Sequence, residues 1–434
     1  MSGNVHPVGP TTGSGTAEAS AAPRLDIEWV RQQFPAFEAP RLSAWAHLEN
    51  AGGSYAVRNV RDLLTEFYTD SKVQPYYAGD PSRRAGAAMD HAKALMPATL
   101  NADPDEVMFG PSTSQNTYVL SHAIREQLAA GDEVIVTNQD HEANIGAWRR
   151  LASSGLTVKE WSVDGATGLL DLDALKALVS NRTKLVAVNH ASNVAATVNP
   201  IREIADLVHS VGGRLVVDGV SYAPHAAVDV RALDCDFYLY STYKTFGPHL
   251  GVMYAKAAEL AALPNQGHYF NGDMPTYRLT PAGPNHAEIA ATAGIVDYYR
   301  AAYEHHLGSS AGVENVDVVR AAFALFAEQE QLLMRPVADL LSAREGVHLI
   351  GSNSADHTVR MPTFAFHSDR HPVEDIYEKL VAAGINCGCG PFDAVRLMQA
   401  LGIDPARGVV RLSLSHYNTI EEVDRALGVL DAVL

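Results

Sequence analysis

The chain has 434 residues, of which 33 are Lys or Arg and 50 are Asp or Glu, for a formal net charge of −17. A chain of this length can bury a large core and is expected to divide into two domains. Because the basic residues are scattered and outnumbered, the composition argues against nucleic acid as the main partner. The three cysteines, Cys235, Cys387 and Cys389, are too few for a disulfide framework and favour a reducing, cytoplasmic setting.

The first residues predict no compact structure. Residues 1–23 are rich in Gly, Ser, Thr, Ala and Pro, lack the basic flank and apolar run of a secretion signal, and predict a disordered tail. No segment is apolar and uncharged over the length needed to cross a bilayer, so no membrane contact is expected. We expect residues 24–45 to form an N-terminal segment that packs with a small C-terminal domain.

Short apolar runs alternate with helical patterns over residues 46–305. The runs "EVIVT", "KLVAVNH", "RLVVDG" and "DFYLYS" are typical of strands that are covered on both faces of a parallel sheet. Between them, "LDLDALKALVS" and "IREIADLVHSVGG" repeat apolar residues at helical spacing. This alternation predicts a large α/β domain over residues 46–305.

The last part of the chain, residues 306–434, predicts a helical connection and a small α+β domain. Its first segment, "AGVENVDVVRAAFALFAEQEQLLMRPVADLLSA", predicts a long helix and then a second one, with a break at Pro336. The runs "TFAFHS" and "VVRLSLS" predict strands, and "VEDIYEKLVAAG" predicts a helix between them.

Ligands of parallel α/β sheets bind beyond the carboxyl ends of the strands, and polar residues cluster there. A lysine at a strand end is usually a solvated edge residue, and an aspartate usually caps a turn. In a partly dry pocket, however, Lys244 would have a lowered pKa and could attack the aldehyde of pyridoxal phosphate (PLP). The ring nitrogen of PLP must be protonated and needs a carboxylate partner such as Asp218. The polar residues that follow the strands are Ser112, Thr113, Ser114, Asp140, His141, Glu142, residues 189–193, Asp218 and residues 241–244.

A long segment around these two residues resembles a known family. The stretch "VVDGVSYAPHAAVDVRALDCDFYLYSTYKTFGPHLGVMYAK" resembles the core of the class V aminotransferase and cysteine desulfurase family of fold type I PLP-dependent enzymes. The similarity runs from "LENAGG" at residue 48 to "HYNTIEEVDRAL" near the C-terminus. It implies a large domain with a mostly parallel sheet, a small α+β domain, and a homodimer with active sites at the subunit interface.

The resemblance also implies roles for single residues around the cofactor ring. Lys244 would carry PLP as a Schiff base and then serve as general base. Asp218 would pair with the pyridinium nitrogen, while Asn193 and Ser221 would lie near the phenolic oxygen of the ring.

The phosphate would be bound at the start of a helix, where free N–H groups and the helix dipole favour an anion. The resemblance places Ser112, Thr113, Ser241 and Tyr243 around it, with Tyr243 standing where desulfurases carry histidine. Arg411, in "GVVRLSLSHYNT", would bind the substrate carboxylate, since its planar fork can hold both oxygens. The structural alternative for Arg411 is an edge residue with a buried stem.

Two departures from the family pattern concern the chemistry. In "QDHEANIGAW", Glu142 falls where desulfurases place the histidine that stacks on the cofactor, so either His141 stacks or Glu142 acts as an acid or base. In "GINCGCGPFDAVRLMQALGI", Asp393 takes the position of the sulfur-accepting cysteine and is a candidate substrate-binding residue. Cys387 and Cys389 come earlier, and we expect them to be buried or half-buried.

A third departure concerns the dimer. In "PAGPNHAEIAA", relatives usually have Gly-Thr-x-Asn, whose threonine reaches the phosphate of the neighbouring subunit. Pro284 offers neither a hydroxyl nor an N–H, so a backbone group, Asn285 or His286 would make this contact.

The sequence therefore predicts a PLP-dependent enzyme that acts on an α-amino acid, a small-molecule substrate, without a metal. The first choice of reaction is C–S cleavage or β-elimination of the lyase type, without the desulfurase cysteine. Transamination is the alternative, and epimerisation or decarboxylation stays open. The contrasting hypothesis is a non-catalytic binding protein with a PLP-enzyme fold, which would more often lack Lys244 or Asp218.

Overall fold

The computed structural model describes residues 24–434, and the tail predicted over residues 1–23 lies outside the described residues. A seven-stranded sheet, a four-stranded sheet, a two-stranded sheet and the helices around them form the described part. The strands are β1 (Ala46–His47), β2 (Val107–Gly110), β3 (Glu133–Thr137), β4 (Thr157–Trp161), β5 (Thr183–Asn189), β6 (Arg214–Asp218), β7 (Phe237–Ser241), β8 (Gly251–Ala255), β9 (Val347–Leu349), β10 (Thr363–Ser368), β11 (Ile385–Asn386), β12 (Gly388–Gly390) and β13 (Val409–Ser413).

Most helices connect strands of the large sheet or cover its faces. Within residues 24–434, none of them is long and apolar enough to cross a membrane. The helices are α1 (Ile27–Gln32), α2 (Arg58–Asp70), α3 (Asp80–Leu95), α4 (Thr113–Arg125), α5 (Glu142–Arg150), α6 (Leu172–Leu178), α7 (Ile201–Ser210), α8 (Val230–Leu233), α9 (Ala257–Ala262), α10 (His286–Ala291), α11 (Ala293–Leu307), α12 (Asn315–Ala343), α13 (Val373–Ala382), α14 (Val395–Ala400) and α15 (Ile420–Val433).

The large sheet has seven strands in the order β2-β8-β7-β6-β5-β3-β4. Strands β4, β3, β5, β6 and β7 pair in parallel, while β8 is antiparallel to both of its neighbours. All residues of β3 and β7 are buried, as expected for strands covered on both faces. The predicted mostly parallel α/β sheet is confirmed, and the carboxyl ends of its parallel strands lie at one rim.

The small sheet lies in the C-terminal part, with the antiparallel order β12-β13-β10-β9. The N-terminal segment contacts both parts of the molecule. Arg31 forms an ion pair of 2.9 Å with Glu422 of α15, whereas Phe34 packs in the core of the large sheet. Strand β1 pairs in parallel with β11 of the small domain. The segment thus joins the two domains, and the predicted domain boundaries stay a prediction.

Helix α12 differs from the expectation. We predicted a break at Pro336, but one helix of 29 residues contains this proline. The proline leaves the carbonyl of Leu332 without its helical partner, and Leu332 lies on the exposed side of the helix, where water can hydrogen-bond to that carbonyl. Apolar residues on the opposite side, such as Leu333 and Val337, pack in the core of the small domain and hold the helix together across the proline.

A buried carboxylate on α12 also links the two domains. Glu330 is fully buried and hydrogen-bonds with His225 of the large domain at 3.0 Å and with His357 of the small domain at 3.1 Å. Burial alone would raise the pKa of Glu330, but the two imidazoles outweigh it and lower this pKa to about 2. Glu330 therefore stays ionised, and its two partners fix how the connecting helix meets the site-bearing domain.

Candidate active site

A cavity of about 590 Å³, counting its open mouth, lies at the rim where the strands of the large sheet end. All the residues predicted to bind the cofactor line it, which is the position expected for a ligand of this sheet type. The lining residues are Ser112, Thr113, Ser114, His141, Asn189, Ala191, Asn193, Asp218, Val220, Ser221, Ser241, Tyr243, Lys244 and His249.

Lys244 reaches the cavity because β7 ends at Ser241 and is followed by one 3-10 turn, Thr242–Lys244. Its side chain is buried. Burial, followed by the positive charge of Arg411, lowers the pKa of Lys244 to about 8, although Asp218 acts in the opposite direction. A substantial fraction of this amine is therefore uncharged near neutral pH and can act as a nucleophile or base.

Asp218 is the last residue of β6, and its carboxylate is buried. Its Oδ1 accepts a hydrogen bond of 2.8 Å from the backbone N–H of Val220. Burial raises the pKa of Asp218 to about 6. Within residues 24–434 its Oδ2 has no hydrogen-bond partner, so the carboxylate can still receive a protonated nitrogen.

The start of α4 forms the end of the cavity where an anion fits best. Ser112 is the N-cap residue, and its Oγ accepts a hydrogen bond from Gln115 N–H at 3.2 Å. The hydroxyls of Thr113 and Ser241 are 2.7 Å apart. Strand β8 passes close by, because a Cβ added to Gly251 would lie 2.4 Å from the carbonyl carbon of Ser112. The hydroxyls, the free N–H groups and the helix dipole all favour a phosphate here.

His141 lines the cavity and is held at both ring nitrogens. Its Nδ1 accepts a hydrogen bond of 3.0 Å from Ala143 N–H, and its Nε2 lies 3.2 Å from Oδ2 of Asp393. Nε2 therefore carries the ring proton and donates a hydrogen bond to the carboxylate. Burial and the charge of Lys244 lower the pKa of His141 to about 4, against the effect of Asp393. The imidazole is therefore neutral near neutral pH.

Glu142 does not line the cavity. Its side chain is 58% exposed and lies 3.9 Å from Nε of Arg396. Its backbone N–H donates to the carbonyl of Asp393 at 2.8 Å. Of the two neighbours considered for the ring-stacking role, His141 lines the cavity and Glu142 does not.

Arg411 lies on β13 beside the cavity, and each of its three guanidinium nitrogens donates one hydrogen bond. Its Nη1 donates to the carbonyl of Asn193 at 3.1 Å, and its Nε donates to Oε2 of Glu49 at 3.4 Å. A second hydrogen bond joins Nη2 of Arg411 to Oε1 of Glu49. The ring of Phe392 covers the guanidinium, with 3.7 Å between its centroid and the guanidinium carbon. The ion pair with Glu49 therefore already occupies one edge of the arginine expected to bind the substrate.

The loop that contains Asp393 is strained and tied down. Phe392 and Asp393 have φ angles of 52° and 54°, in the left-handed region that non-glycine residues rarely adopt. The carbonyl of Phe392 accepts a hydrogen bond of 2.8 Å from Nδ2 of Asn193. The resemblance assigns this side chain to the phenolic oxygen of the cofactor, and one N–H of its Nδ2 group also fixes the loop. Oδ1 of Asn193 is buried without a partner within residues 24–434.

The two cysteines before this loop lie away from the cavity. Cys387 is buried, and burial raises the pKa of its thiol to about 12. Cys389 is half-buried, and burial also raises its pKa. Both thiols are therefore protonated at neutral pH and are poor nucleophiles.

The predicted subunit-contact residues lie at the start of α10. Asn285 lines a second, more apolar cavity of about 1040 Å³, together with Pro111 and Gln115 from the region around the start of α4. His286 is half-buried and lies outside both cavities. Asn285 is thus near the phosphate side of its own chain's site.

Sequence reasoning missed three residues at the site. Glu49 stands within "LENAGG", where a carboxylate amid small residues was the available signal. Phe392 had no such signal, because its place over Arg411 depends on the loop conformation. His249 lines the cavity and stacks on Tyr243, with ring centroids 4.7 Å apart and an interplanar angle of 2°.

The site fits PLP because polar groups around the cavity have no hydrogen-bond partner in the protein and match the groups of this cofactor. The amine of Lys244, Oδ2 of Asp218 and Oδ1 of Asn193 face one cavity and lack hydrogen-bond partners among the described residues. The aldehyde carbon of PLP needs an amine, and its ring nitrogen needs a carboxylate. Its phosphate is favoured at a helix N-terminus. This combination at the rim of a mostly parallel sheet defines the class of fold type I PLP-dependent enzymes.

The comparisons with known proteins give the family. The chain belongs to the family described as aminotransferase class-V, whose model matches residues 46–426. The aminotransferase-like protein FGM3 of Gibberella zeae is 36% identical over 422 residues, which cover 94% of this chain and 99% of FGM3. The cysteine desulfurase-like protein ustD of Aspergillus flavus is 30% identical over 439 residues, which cover 97% of this chain and 94% of ustD.

A solved structure agrees with this assignment. The cysteine desulfurase CsdA from Escherichia coli has a TM-score of 0.78 and 25% identity, covering 94% of this chain and 98% of CsdA. Members of the class V aminotransferase and cysteine desulfurase family depend on PLP, so this chain is a PLP-dependent enzyme.

Replacing Gly388 tests the setting of Arg411. Gly388 pairs with Arg411 across the small sheet, and a Cβ added to it would lie 2.6 Å from the Phe392 ring and 2.9 Å from Oε1 of Glu49. Gly388→Ala should displace both groups from the guanidinium. We expect KM for an amino-acid substrate to rise about tenfold, the equivalent of about 1.4 kcal/mol, with PLP affinity unchanged.

Gly428→Ala is the matched control, because nothing lies within 4 Å of a Cβ added at this position of α15. Steady-state kinetics and PLP titration of the apoenzyme give the two quantities. A loss of PLP affinity with KM unchanged in Gly388→Ala would contradict this interpretation of the pair.

Proposed function

We propose that the chain is a lyase that cleaves a C–S bond, or another bond from Cβ to a leaving group, in an α-amino acid. It works by elimination, without a cysteine that accepts sulfur. The observation that carries the proposal is Asp393, which stands where desulfurases have their cysteine and is bonded to His141 through its carboxylate. Cys387 and Cys389, with protonated thiols outside the cavity, do not replace it.

PLP, when bound, withdraws electrons from the substrate's Cα and so makes the proton there more acidic. Lys244 is the group that holds and moves this proton. Its pKa of about 8 lets Nζ accept a proton near neutral pH and return it in a later step. Asp218 would keep the ring nitrogen protonated, and a cation against its carboxylate would offset the burial that now raises its pKa.

His141 would orient the ring of the cofactor. Because both of its nitrogens are engaged by Ala143 and Asp393, its role is contact through the ring face rather than proton transfer. Ser221 and Asn193 would lie at the edge of the ring. Glu142 is exposed and does not line the cavity, and it has no role in this proposal.

Arg411 would hold the substrate carboxylate, with Glu49 as its fixed counter-charge. Glu49 takes one N–H each of Nε and Nη2, and the Asn193 carbonyl takes one N–H of Nη1, so a substrate carboxylate would use the second N–H groups of Nη1 and Nη2. Phe392 excludes water from one face of the guanidinium and so strengthens its interactions. We propose that Asp393 limits which side chains fit at the mouth of the cavity.

The net reaction balances without an oxidant. The substrate loses its Cα–H bond and its bond from Cβ to sulfur, and the sulfur group leaves as a thiol or hydrogen sulfide after taking up a proton. Water then completes the conversion to a 2-keto acid and ammonium. Transamination is the second candidate, because the relative FGM3 is described as aminotransferase-like. This reaction would instead need a keto-acid acceptor.

Lys244→Ala tests the cofactor site. With PLP, the variant should lack the yellow absorbance of the wild type and should not retain the cofactor after borohydride treatment. Activity should fall at least about 100-fold, because both the anchor and the base are lost. Lys176→Ala, at an exposed lysine of α6, is the control. Covalent retention of PLP by Lys244→Ala would show that another lysine holds it.

The double variant Cys387→Ala with Cys389→Ala tests the reaction type. Wild type and variant are assayed with cysteine and a reductant for sulfide, pyruvate and trapped persulfide. We expect the two proteins to behave alike, without persulfide, because neither thiol reaches the cavity. Persulfide in the wild type and loss of sulfide release in the variant would contradict the proposal and indicate a rearranged desulfurase.

We also propose a homodimer. Three apolar side chains between α9 and α10 are strongly exposed in the single chain: Tyr269 at 92%, Phe270 at 67% and Met274 at 48%. Such a cluster supports an interface close to the start of α10.

Tyr269→Ser with Phe270→Ser should shift the protein toward monomer in sedimentation equilibrium, whereas Leu332→Ser, at an exposed leucine of α12, should not. A wild type that sediments as a monomer with full activity would contradict the proposal.

A further inference from the structure

The phosphate end of the cavity is rich in hydroxyls but poor in positive charge. Among the described residues that line the cavity, the only lysine or arginine is Lys244, and the only imidazoles are His141 and His249. Lys244 is the cofactor anchor, and His141 is neutral with a pKa of about 4. A phosphate at the start of α4 would therefore have His249 as the remaining imidazole among these lining residues that can donate an N–H to it.

The ring of His249 is held in place but its nitrogens are free. It stacks on Tyr243 at 4.7 Å with an interplanar angle of 2°, directly beside the lysine that anchors the cofactor. Within residues 24–434, neither ring nitrogen of His249 has a hydrogen-bond partner. Stacking uses the ring face and leaves the N–H groups at the ring edge for an acceptor.

The backbone around His249 is fixed on both sides. The Pro248 carbonyl accepts a hydrogen bond from Oγ1 of Thr242, and the Leu250 carbonyl accepts one of 2.9 Å from Thr242 N–H. Gly251 then packs against Ser112 at the start of α4. His249 is thus carried to the rim of the phosphate end by a short, rigid connection.

We infer that His249 is a ligand of the cofactor's phosphate, with Tyr243 as the platform that orients it. The inference rests on the proposed phosphate site of Ser112, Thr113 and Ser241. It accounts for Tyr243, which stands where desulfurases carry histidine: the imidazole comes from a few residues further along the chain and packs on the tyrosine that replaces it.

The test compares two ligands that differ only in the phosphate. Dissociation constants of apoenzyme for pyridoxal 5'-phosphate and for pyridoxal are measured by absorbance and tryptophan fluorescence. His249→Ala should weaken binding of pyridoxal 5'-phosphate about 10- to 100-fold, as expected for one lost charge-assisted hydrogen bond. Binding of pyridoxal should not change, and inorganic phosphate should compete less well than with the wild type.

His305→Ala is the matched control, because this exposed histidine also stacks on an aromatic ring, Trp29, at 4.5 Å and 10°, outside the cavity. Equal weakening of binding of both ligands by His249→Ala, or weakening of neither, would overturn the inference.

Thr113→Val distinguishes a failure of the His249 role from a failure of the proposed phosphate site. The measured quantity is the preference for pyridoxal 5'-phosphate over pyridoxal. If Thr113→Val loses this preference while His249→Ala retains it, the phosphate site is supported and the role of His249 is wrong. If wild type binds both ligands equally, the proposed phosphate site itself is wrong.

Discussion

The buried ion pair between Glu49 and Arg411 is the interaction on which the rest of the site depends. A guanidinium out of water is strongly destabilising unless a charge and hydrogen bonds compensate it. Glu49 supplies the charge from the N-terminal part of the chain, and Asn193 supplies a carbonyl from the large domain. Since Arg411 belongs to the small domain, its compensation requires three separate parts of the molecule to meet beside the cavity.

Burial at the rim shifts the pKa values of basic and acidic groups in the cavity in opposite directions. It lowers the pKa of Lys244 to about 8 and that of His141 to about 4, and it raises the pKa of Asp218 to about 6. Each shift moves a group toward its neutral form, because a dry cavity disfavours isolated charge. A charged cofactor would reverse part of this effect, since its ring nitrogen and phosphate bring counter-charges. The cavity is therefore prepared for a ligand that carries both signs of charge.

The sequence predicted the sheet and the polar residues at the strand ends, because continuous apolar runs and strand-end polar groups are local signals, whereas the cofactor was predicted from the resemblance to the family. Lys244 and Asp218 were found in this way. Contacts between distant segments were not predictable. Glu49 and Arg411 are far apart in the chain, and Phe392 reaches the guanidinium through left-handed backbone. Pro336 was interpreted as a helix break because packing on the opposite side of α12 has no local signature.

The loop around Asp393 bears on the chemistry through its attachment rather than through one side chain. A thiol that carries sulfur away from a substrate must move between the cavity and its acceptor. Here the loop is tied at the Phe392 carbonyl by Asn193, at the Asp393 carbonyl by Glu142 N–H, and at the Asp393 carboxylate by His141. These contacts compensate the left-handed conformation of two residues, so releasing the loop would lose all of them. A segment held in this way keeps Asp393 beside His141 and cannot move freely as a sulfur carrier must.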